Sequence, residues 1–522
     1  RLPLLLSLFL PSIFSLNILM YVNVIGKSHL QFAENLIKLL NENGHTVDVV
    51  AGVMNSLVTL KGDYGARQLV SVRFPDDPWG AAATHISDPF EEMSDWTLLK
   101  LNTFRQFSET TEKLCDLLLN SAEIAELLST NKYDIALING YDLCPFAIAY
   151  HHKISPVVSY LPTHSFFIQS YYGGQPELPL YDNIVFEMTR YDGKSTFAAR
   201  VYETVRVFKQ RYIDYHHRTV MNAKFRAHFG ANFPDGADIA MNTSLDFTNS
   251  HQLLDEPVPV SARMRYIGGI GVPKPKKLNK DFDDLLNLSK KGTVIFSFGT
   301  QIGPQRFSKY LQQVIVNTFK RFPEFTFLWK FDGKTPTNAT NVINLEWLPQ
   351  TDLLHDSRVV AFISHMGLNS FTETSFAGVP MVAIPFFSDQ VHNAQRAVTL
   401  GTAAMVRKSE ITEENLTNAL KKMLYDEGYR NRAQELAAKI RALPETPQRV
   451  FLESIEFAAK FKNLASHYRL AGANHHFLVQ TGWDVAAFFT CTLLLLSYIA
   501  IKVVFFVIRK ALALVRGKSK VE

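Results

Sequence analysis

Short, largely apolar runs recur along this chain, and several lead into a polar loop followed by a helical pattern. Asn17–Val24 (NILMYVNV), Thr46–Ala51, Asp134–Ile138, Thr293–Phe298, Val359–Ser364 (VVAFIS) and Val379–Ile384 are such runs. A strand that is apolar on both faces has to be covered by helices on both sides, which is the condition of a parallel sheet. The runs therefore restrict the chain to α/β architecture, with ligand-binding groups expected on loops at the carboxyl ends of the strands. A length of 522 residues exceeds what one core supports and fits two domains with appendages.

The stretch Trp347–Gln390 carries the densest set of such loop groups. Val359–Ser364 suits a buried central strand, His365–Ser370 (HMGLNS) a turn, and Phe371–Ala377 a short helix stopped by Gly378. The amino end of that helix offers free N–H groups and a positive dipole end, which suit a phosphate. Gly367 lets the backbone approach a ligand closely. Pro385 ends the strand Val379–Ile384, and Ser388-Asp389-Gln390 lies on the next loop at the same sheet edge.

These residues carry a specific resemblance. W-x-P-Q (Trp347, Pro349, Gln350), H-x-G-x-N-x-x-x-E (His365, Gly367, Asn369, Glu373), G-x-P-M (Gly378, Pro380, Met381) and the pair Asp389-Gln390 resemble, in order and spacing, the signature of the UDP-glycosyltransferases, the family that includes the animal UDP-glucuronosyltransferases. Met366 and Ser370 depart from it, at positions where the family often has Gly. The resemblance implies an α/β fold of two Rossmann-like domains facing across a cleft (GT-B type), plus a C-terminal transmembrane helix. It further implies that Trp347 stacks on the uracil, and that Gln350 and Glu373 hold the ribose. His365, Asn369 and Ser370, with Gly367 at the helix start, would contact the diphosphate, and Asp389 and Gln390 the transferred sugar. Gly299-Thr300-Gln301 resembles the family's Gly-Ser loop, with Thr300 beside the diphosphate. No cofactor or metal is implied, UDP-glucuronate or UDP-glucose being a co-substrate. Asp281-Phe282-Asp283 fits a metal-holding D-x-D pattern, but it precedes a strand rather than following one and reads as a solvated helix face.

In the N-terminal half, Asn17–Val24, Ile25–Ser28 and His29–Asn41 read as strand, loop and helix. Gly26-Lys27-Ser28 is not a phosphate loop, because Tyr21 stands where that motif needs Gly. By the resemblance, His29 is the general base of the first βα turn. Its neutral imidazole would take the proton of an acceptor hydroxyl as the oxygen attacks the anomeric carbon, and UDP would leave with inversion. Family members carry an orienting acid in a stretch patterned like D-V-I-F-A-D-x-x-x-x-C. Aligning Asp134 and Cys144 puts Asn139 at the acid position; Asp142, three residues on, is the other candidate. Two functions follow. One is a transferase of the UDP-glucuronosyltransferase or UDP-glucosyltransferase type acting on small lipophilic acceptors. The other is a catalytically impaired UDP-sugar-binding protein of the same fold.

The remaining expectations concern the layout and address of the chain. Residues 1–15 read as a signal peptide, 16–252 as the acceptor domain, and the Pro-rich 253–277 as a linker. Residues 278–470 read as the donor domain, 485–508 as a membrane helix and 509–522 as a basic cytosolic tail. At ~1.5 Å per residue the apolar stretch Val485–Ile508 is about 36 Å long, enough to span. The positive-inside rule places the tail in the cytosol. Its last five residues, Lys-Ser-Lys-Val-Glu, resemble a retrieval signal of the endoplasmic reticulum. The expected product is a single-pass type I protein of that membrane with a lumenal body, a glycoprotein through the sequons at Asn242, Asn287, Asn338 and Asn415, with detoxification as the family's role. Self-association is left open. A net charge of +5 without a Lys/Arg stripe excludes nucleic acid as a partner. Three scattered cysteines (Cys115, Cys144, Cys491) argue against a disulfide framework and against a zinc site. The aromatics Phe166, Phe167, Tyr171, Tyr172 and Phe186 suit a lipophilic acceptor but read first as packing.

Overall fold

The computed structural model describes residues 15–56, 58–74, 102–164, 197–257, 260–299, 307–331, 339–386, 389–470, 472–473 and 475–518. Most of the expected signal peptide, the aromatics Phe166 to Phe186, the sequon Asn338, and Thr300, Gln301 and Ser388 lie outside the described residues.

The apolar runs form two parallel sheets. The first contains β1 (Asn17–Val24), β2 (Thr46–Val53), β3 (Gln68–Arg73), β4 (Ile135–Asn139), β5 (Val157–Leu161), β6 (Asp246–Thr248) and β7 (Met264–Tyr266), in the order β3-β2-β1-β4-β5-β6-β7. The second contains β8 (Thr293–Ser297), β9 (Thr326–Lys330), β10 (Val342–Leu345), β11 (Val359–Ser364), β12 (Met381–Ala383) and β13 (Ala403–Met405), in the order β10-β9-β8-β11-β12-β13. In each sheet the order reverses beside its first strand, between β1 and β4 and between β8 and β11. The crevice beyond such a switch point is where an open α/β sheet binds its ligand.

Strand alternation explains why β1 is apolar throughout. Ile18, Met20 and Val22 face α1 (Lys27–Glu42), which buries Phe32, Leu36 and Leu40. Leu19 and Tyr21 face α2 (Asn102–Leu119) and α3 (Cys144–His151), which supply Leu114, Leu118 and Phe146. Contrary to the expectation from cysteine spacing, Cys115 and Cys144 form a disulfide. The chain leaves α2, crosses the sheet as β4 and begins α3 against the buried face of α2, so the scatter in sequence vanishes in space. In the second domain, α4 (Leu368–Ala377) inserts Phe371 and α5 (Asp389–Thr399) inserts Ala394 and Ala397 into one core. Asp281 and Asp283 lie on the helix Lys280–Leu286, where Asp283 pairs with Arg358 at 2.7 Å.

Three expected boundaries shift. The Pro-rich linker contains β7, whose three residues complete the first sheet. The helix α6 (Pro447–Lys460) falls late in the chain, yet its Phe451, Ile455 and Ala458 sit in the first domain's core, with Phe451 edge-on to Phe247 at 5.0 Å. Leu464 follows it into that core, and Arg469 donates to Asn242 Oδ1 at 3.0 Å. Beyond lies α7 (Trp483–Lys518), which is helical past the expected end at 508 and takes in the first basic residues of the tail. Among the described residues it is the one helix long and apolar enough to cross a bilayer.

Candidate active site

The second domain's crevice is built around His365. β11 ends at Ser364, whose Oγ accepts from the Met366 N–H at 3.0 Å and turns the chain sharply. Met366 stands at φ +64° with its side chain fully buried. The His365 ring is enclosed by two glycines. A Cβ on Gly299 would lie 2.7 Å from its Cε1, and one on Gly367 2.6 Å from its Nε2. Burial first, then the charge of Lys330, lowers His365 to about 4, so the ring is neutral at pH 7. Its Nδ1 is buried without a partner among the described residues. Lys330, the last residue of β9, donates to the Gly299 carbonyl at 3.3 Å and brings a positive charge to this loop. α4 begins at Gly367 with no side-chain cap, which leaves its first N–H groups for solvent or a ligand. Asn369 is exposed on that first turn.

Three of the expected donor residues form one cluster. Gln350 Nε2 donates to Glu373 Oε2 at 2.7 Å and to Ser370 Oγ at 3.3 Å. Ser370, expected with the diphosphate group, is thus buried and engaged by Gln350. Burial raises the Glu373 carboxyl against the opposing hydrogen bond from Gln350. Trp347 is 65% exposed and presents an open ring. Asp389 opens α5, and its Oδ2 accepts from Asn393 Nδ2 at 3.2 Å. Gln390 is buried, and its Oε1 accepts from the Phe386 N–H at 2.9 Å, so its carbonyl end holds the loop.

In the first domain, His29 lies in the opening turn of α1, its ring stacked on Tyr141 with centroids 5.8 Å apart. Burial lowers it to about 4, and Nδ1 is buried without a partner among the described residues. Asn139 closes β4, its Oδ1 accepting from the Tyr141 N–H at 3.2 Å. Asp142 is fully buried, its Oδ1 accepting from the Cys144 N–H at 3.0 Å. Burial pushes Asp142 up to about 6, and the ionisable side chains that act on it include His217 and Glu112. Both candidate partners thus give an oxygen to the backbone two residues on, as Asn and Asp do in turns. The expected bond from Asp142 to His29 is not made.

Asn23, Lys330, His164 and Asn393 escape a reading of the sequence. Asn23 is buried in β1 near its carboxyl end with both amide atoms unpartnered among the described residues. The signal available for Asn23 and Lys330 is a polar residue at or near the carboxyl end of an apolar strand.

Two parallel sheets, each with polar groups on the loops at its switch point, are the arrangement of the GT-B fold. Solved structures of the same fold include the glycotransferase of kitacinnamycin (TM-score 0.58, 18% identity, 85% of this chain and 99% of that one). Another is a UDP-glucosyltransferase from Polygonum tinctorium (TM-score 0.56, 15% identity, 86% and 99%). Residues 19–519 match the family described as UDP-glucoronosyl and UDP-glucosyl transferase, and the chain belongs to that family. Among its relatives, UDP-glucosyltransferase 2 of Dactylopius coccus is 26% identical over 473 residues, 90% of this chain and 88% of that one. UDP-glucuronosyltransferase 1A8 of Rattus norvegicus is 26% identical over 527 residues, 100% and 97%. The two relatives are named for different sugars.

Proposed function

We propose that this glycosyltransferase moves glucuronate or glucose from its UDP-sugar to a hydroxyl of a small lipophilic acceptor, with inversion and with His29 as general base. The observation that carries this reading is the donor crevice. A neutral His365, Lys330 and the open end of α4 converge on one point, with Trp347 and the Gln350–Glu373 pair grouped as a nucleoside's partners and Asp389 as a sugar's. Diphosphate at that point would meet N–H donors and a cation, which would lower the barrier to UDP departure. Asp389 and Gln390 are assigned to the sugar hydroxyls, and Thr300 to the diphosphate, by the family signature. The apolar α7 and its basic tail support anchorage in the endoplasmic reticulum membrane with a lumenal body, and a disulfide is compatible with that compartment.

His29 is neutral across the physiological range and so has a lone pair for the acceptor proton. A second reading, a UDP-sugar-binding protein with little turnover, is favoured by one observation: among the described residues no carboxylate is bonded to His29.

The test is transfer from radiolabelled UDP-glucose and UDP-glucuronate to a phenol, by the wild type, His29→Ala and Asp142→Ala. The transferase reading expects loss of transfer by at least about 100-fold in His29→Ala with UDP still bound. Equal rates in wild type and His29→Ala would support the binding protein. A fall in turnover of Asp142→Ala with UDP binding intact would give this carboxylate a part in transfer that no bond to His29 shows, and an unchanged rate would remove Asp142 from the mechanism.

A further inference from the structure

The two domains meet at a buried cluster to which none of these roles applies. His164 follows β5 of the first domain, Asp255 lies on the connection after β6, and His392 and Asn393 stand on α5 of the second. Asp255 divides its carboxylate, with Oδ2 3.1 Å from His164 Nδ1 and Oδ1 3.1 Å from His392 Nε2. Ser250 Oγ also lies 3.0 Å from His164 Nδ1. The other ring nitrogen, His164 Nε2, is 2.6 Å from Asn393 Oδ1. The ligand atoms of His164, Asp255 and His392 lie within 4.8 Å of one another, compact enough to bracket a divalent cation. Each is already engaged in a hydrogen bond, however, so the cluster closes without one.

The protons can be assigned from Asn393. Its Nδ2 donates to the Met366 carbonyl at 2.9 Å and to Asp389 Oδ2 at 3.2 Å. Its Oδ1 therefore faces His164, and His164 Nε2 must carry a proton. Burial opposes a charge on this ring, but the adjacent Asp255 carboxylate outweighs it, and Asp389 adds to the same effect, raising His164 to about 9. One amide thus receives a bond from the first domain and passes two to the second. One goes to the carbonyl of the turn that carries His365, the other to the carboxylate assigned to the transferred sugar.

We infer that His164 is a positioning residue for the sugar donor: through Asn393 it fixes the Asp389 carboxylate and the Met366 carbonyl, so that a UDP-sugar is recognised in full only when the first domain is seated on the second. This rests on the donor-site reading given above. A merely structural ion pair would depend on the Nδ1 side of the ring; positioning depends on the Nε2 side. The two sides can be removed separately, because a glutamine amide nitrogen mimics Nε2 and an asparagine amide nitrogen mimics Nδ1.

The experiment measures dissociation constants of UDP, UDP-glucose and UDP-glucuronate for the full chain in detergent, as wild type, His164→Gln and His164→Asn. His164→Asn is expected to weaken the tighter of the two UDP-sugars about tenfold more than it weakens UDP, and His164→Gln to stay within about threefold of wild type. If His164→Asn does not fold, Asn393→Asp keeps the acceptor for His164, removes both donated bonds and should show the same selective loss. Equal losses in the two His164 variants, or UDP and UDP-sugar weakening in step, would overturn the inference. So would tightening of the wild type by Zn²⁺ that a chelator reverses. A wild type that binds none of the three ligands refutes the donor site and the inference together; binding with indistinguishable variants refutes the inference alone.

Discussion

At Met366 two residue-scale effects oppose each other. A side chain at φ +64° costs about 1–2 kcal/mol relative to glycine. Burying that side chain fully returns about 1.5–3 kcal/mol. Packing wins, which accounts for a methionine in a conformation suited to glycine. Met366→Gly should therefore lower stability by about 1 kcal/mol, and Met366→Ala, which keeps the strain and loses the packing, by about 2–3 kcal/mol. Denaturant unfolding of both variants checks the ranking. Gly367→Ala tests the other side of the loop. Its Cβ would meet His365 Nε2 at 2.6 Å, so UDP affinity should fall at least about tenfold in a binding titration.

The His164–Asp255 pair gives a pH dependence with a definite sign. His164 is raised above its unfolded value of 6.5, so its contribution is complete below about 6.5 and disappears as pH climbs through about 9. Asp255 is held well below 3.8 by His164 and His392 despite its burial, so its contribution is present above 3.8 and lost in stronger acid. Counted once, the pair is worth on the order of 3 kcal/mol between those limits. The stability of the wild type against unfolding should fall between pH 7 and 10, and Asp255→Asn should flatten that slope.

At the scale of elements, the disulfide between α2 and α3 closes a loop of 29 residues' separation beside the turn that holds Asp142. Its loss should cost about 3 kcal/mol, seen as a lower melting temperature in reductant and in the Cys115→Ser/Cys144→Ser double variant. Elements differ in how plainly the sequence announces them, for a physical reason. Strands such as β1 and β11, buried on both faces, leave continuous apolar runs. β3 (QLVSVR) is an exposed edge, and β7 is three residues of mixed character among prolines, so neither has a pattern to read. The donor groups are legible because one strand-turn-helix-strand passage carries most of them in order. Whether Asn139 or Asp142 reaches His29 is not, because it depends on where a turn sends them, and both turn to the backbone. His164 and Asn393 lie 229 residues apart, beyond any local signal.

At the scale of the molecule, α6 makes the first domain depend on the end of the chain. Phe451→Ala should cost about 3–5 kcal/mol and be felt in the first domain, although its codon lies beyond the second. A chain cut after residue 470 keeps these contacts and should remain in solution without detergent and bind UDP; one cut before Pro447 should aggregate. Size-exclusion chromatography with a UDP titration distinguishes the two.

The attachment of Leu464, Tyr468 and Arg469 to the first domain just ahead of α7 also decides which half of the enzyme can move. Whatever holds α7 holds the first domain directly and the second only through it. With α7 in a bilayer, the first domain would be the stator. Any motion of the second domain against the first would then take place in water, while the first keeps a constant height above the lipid.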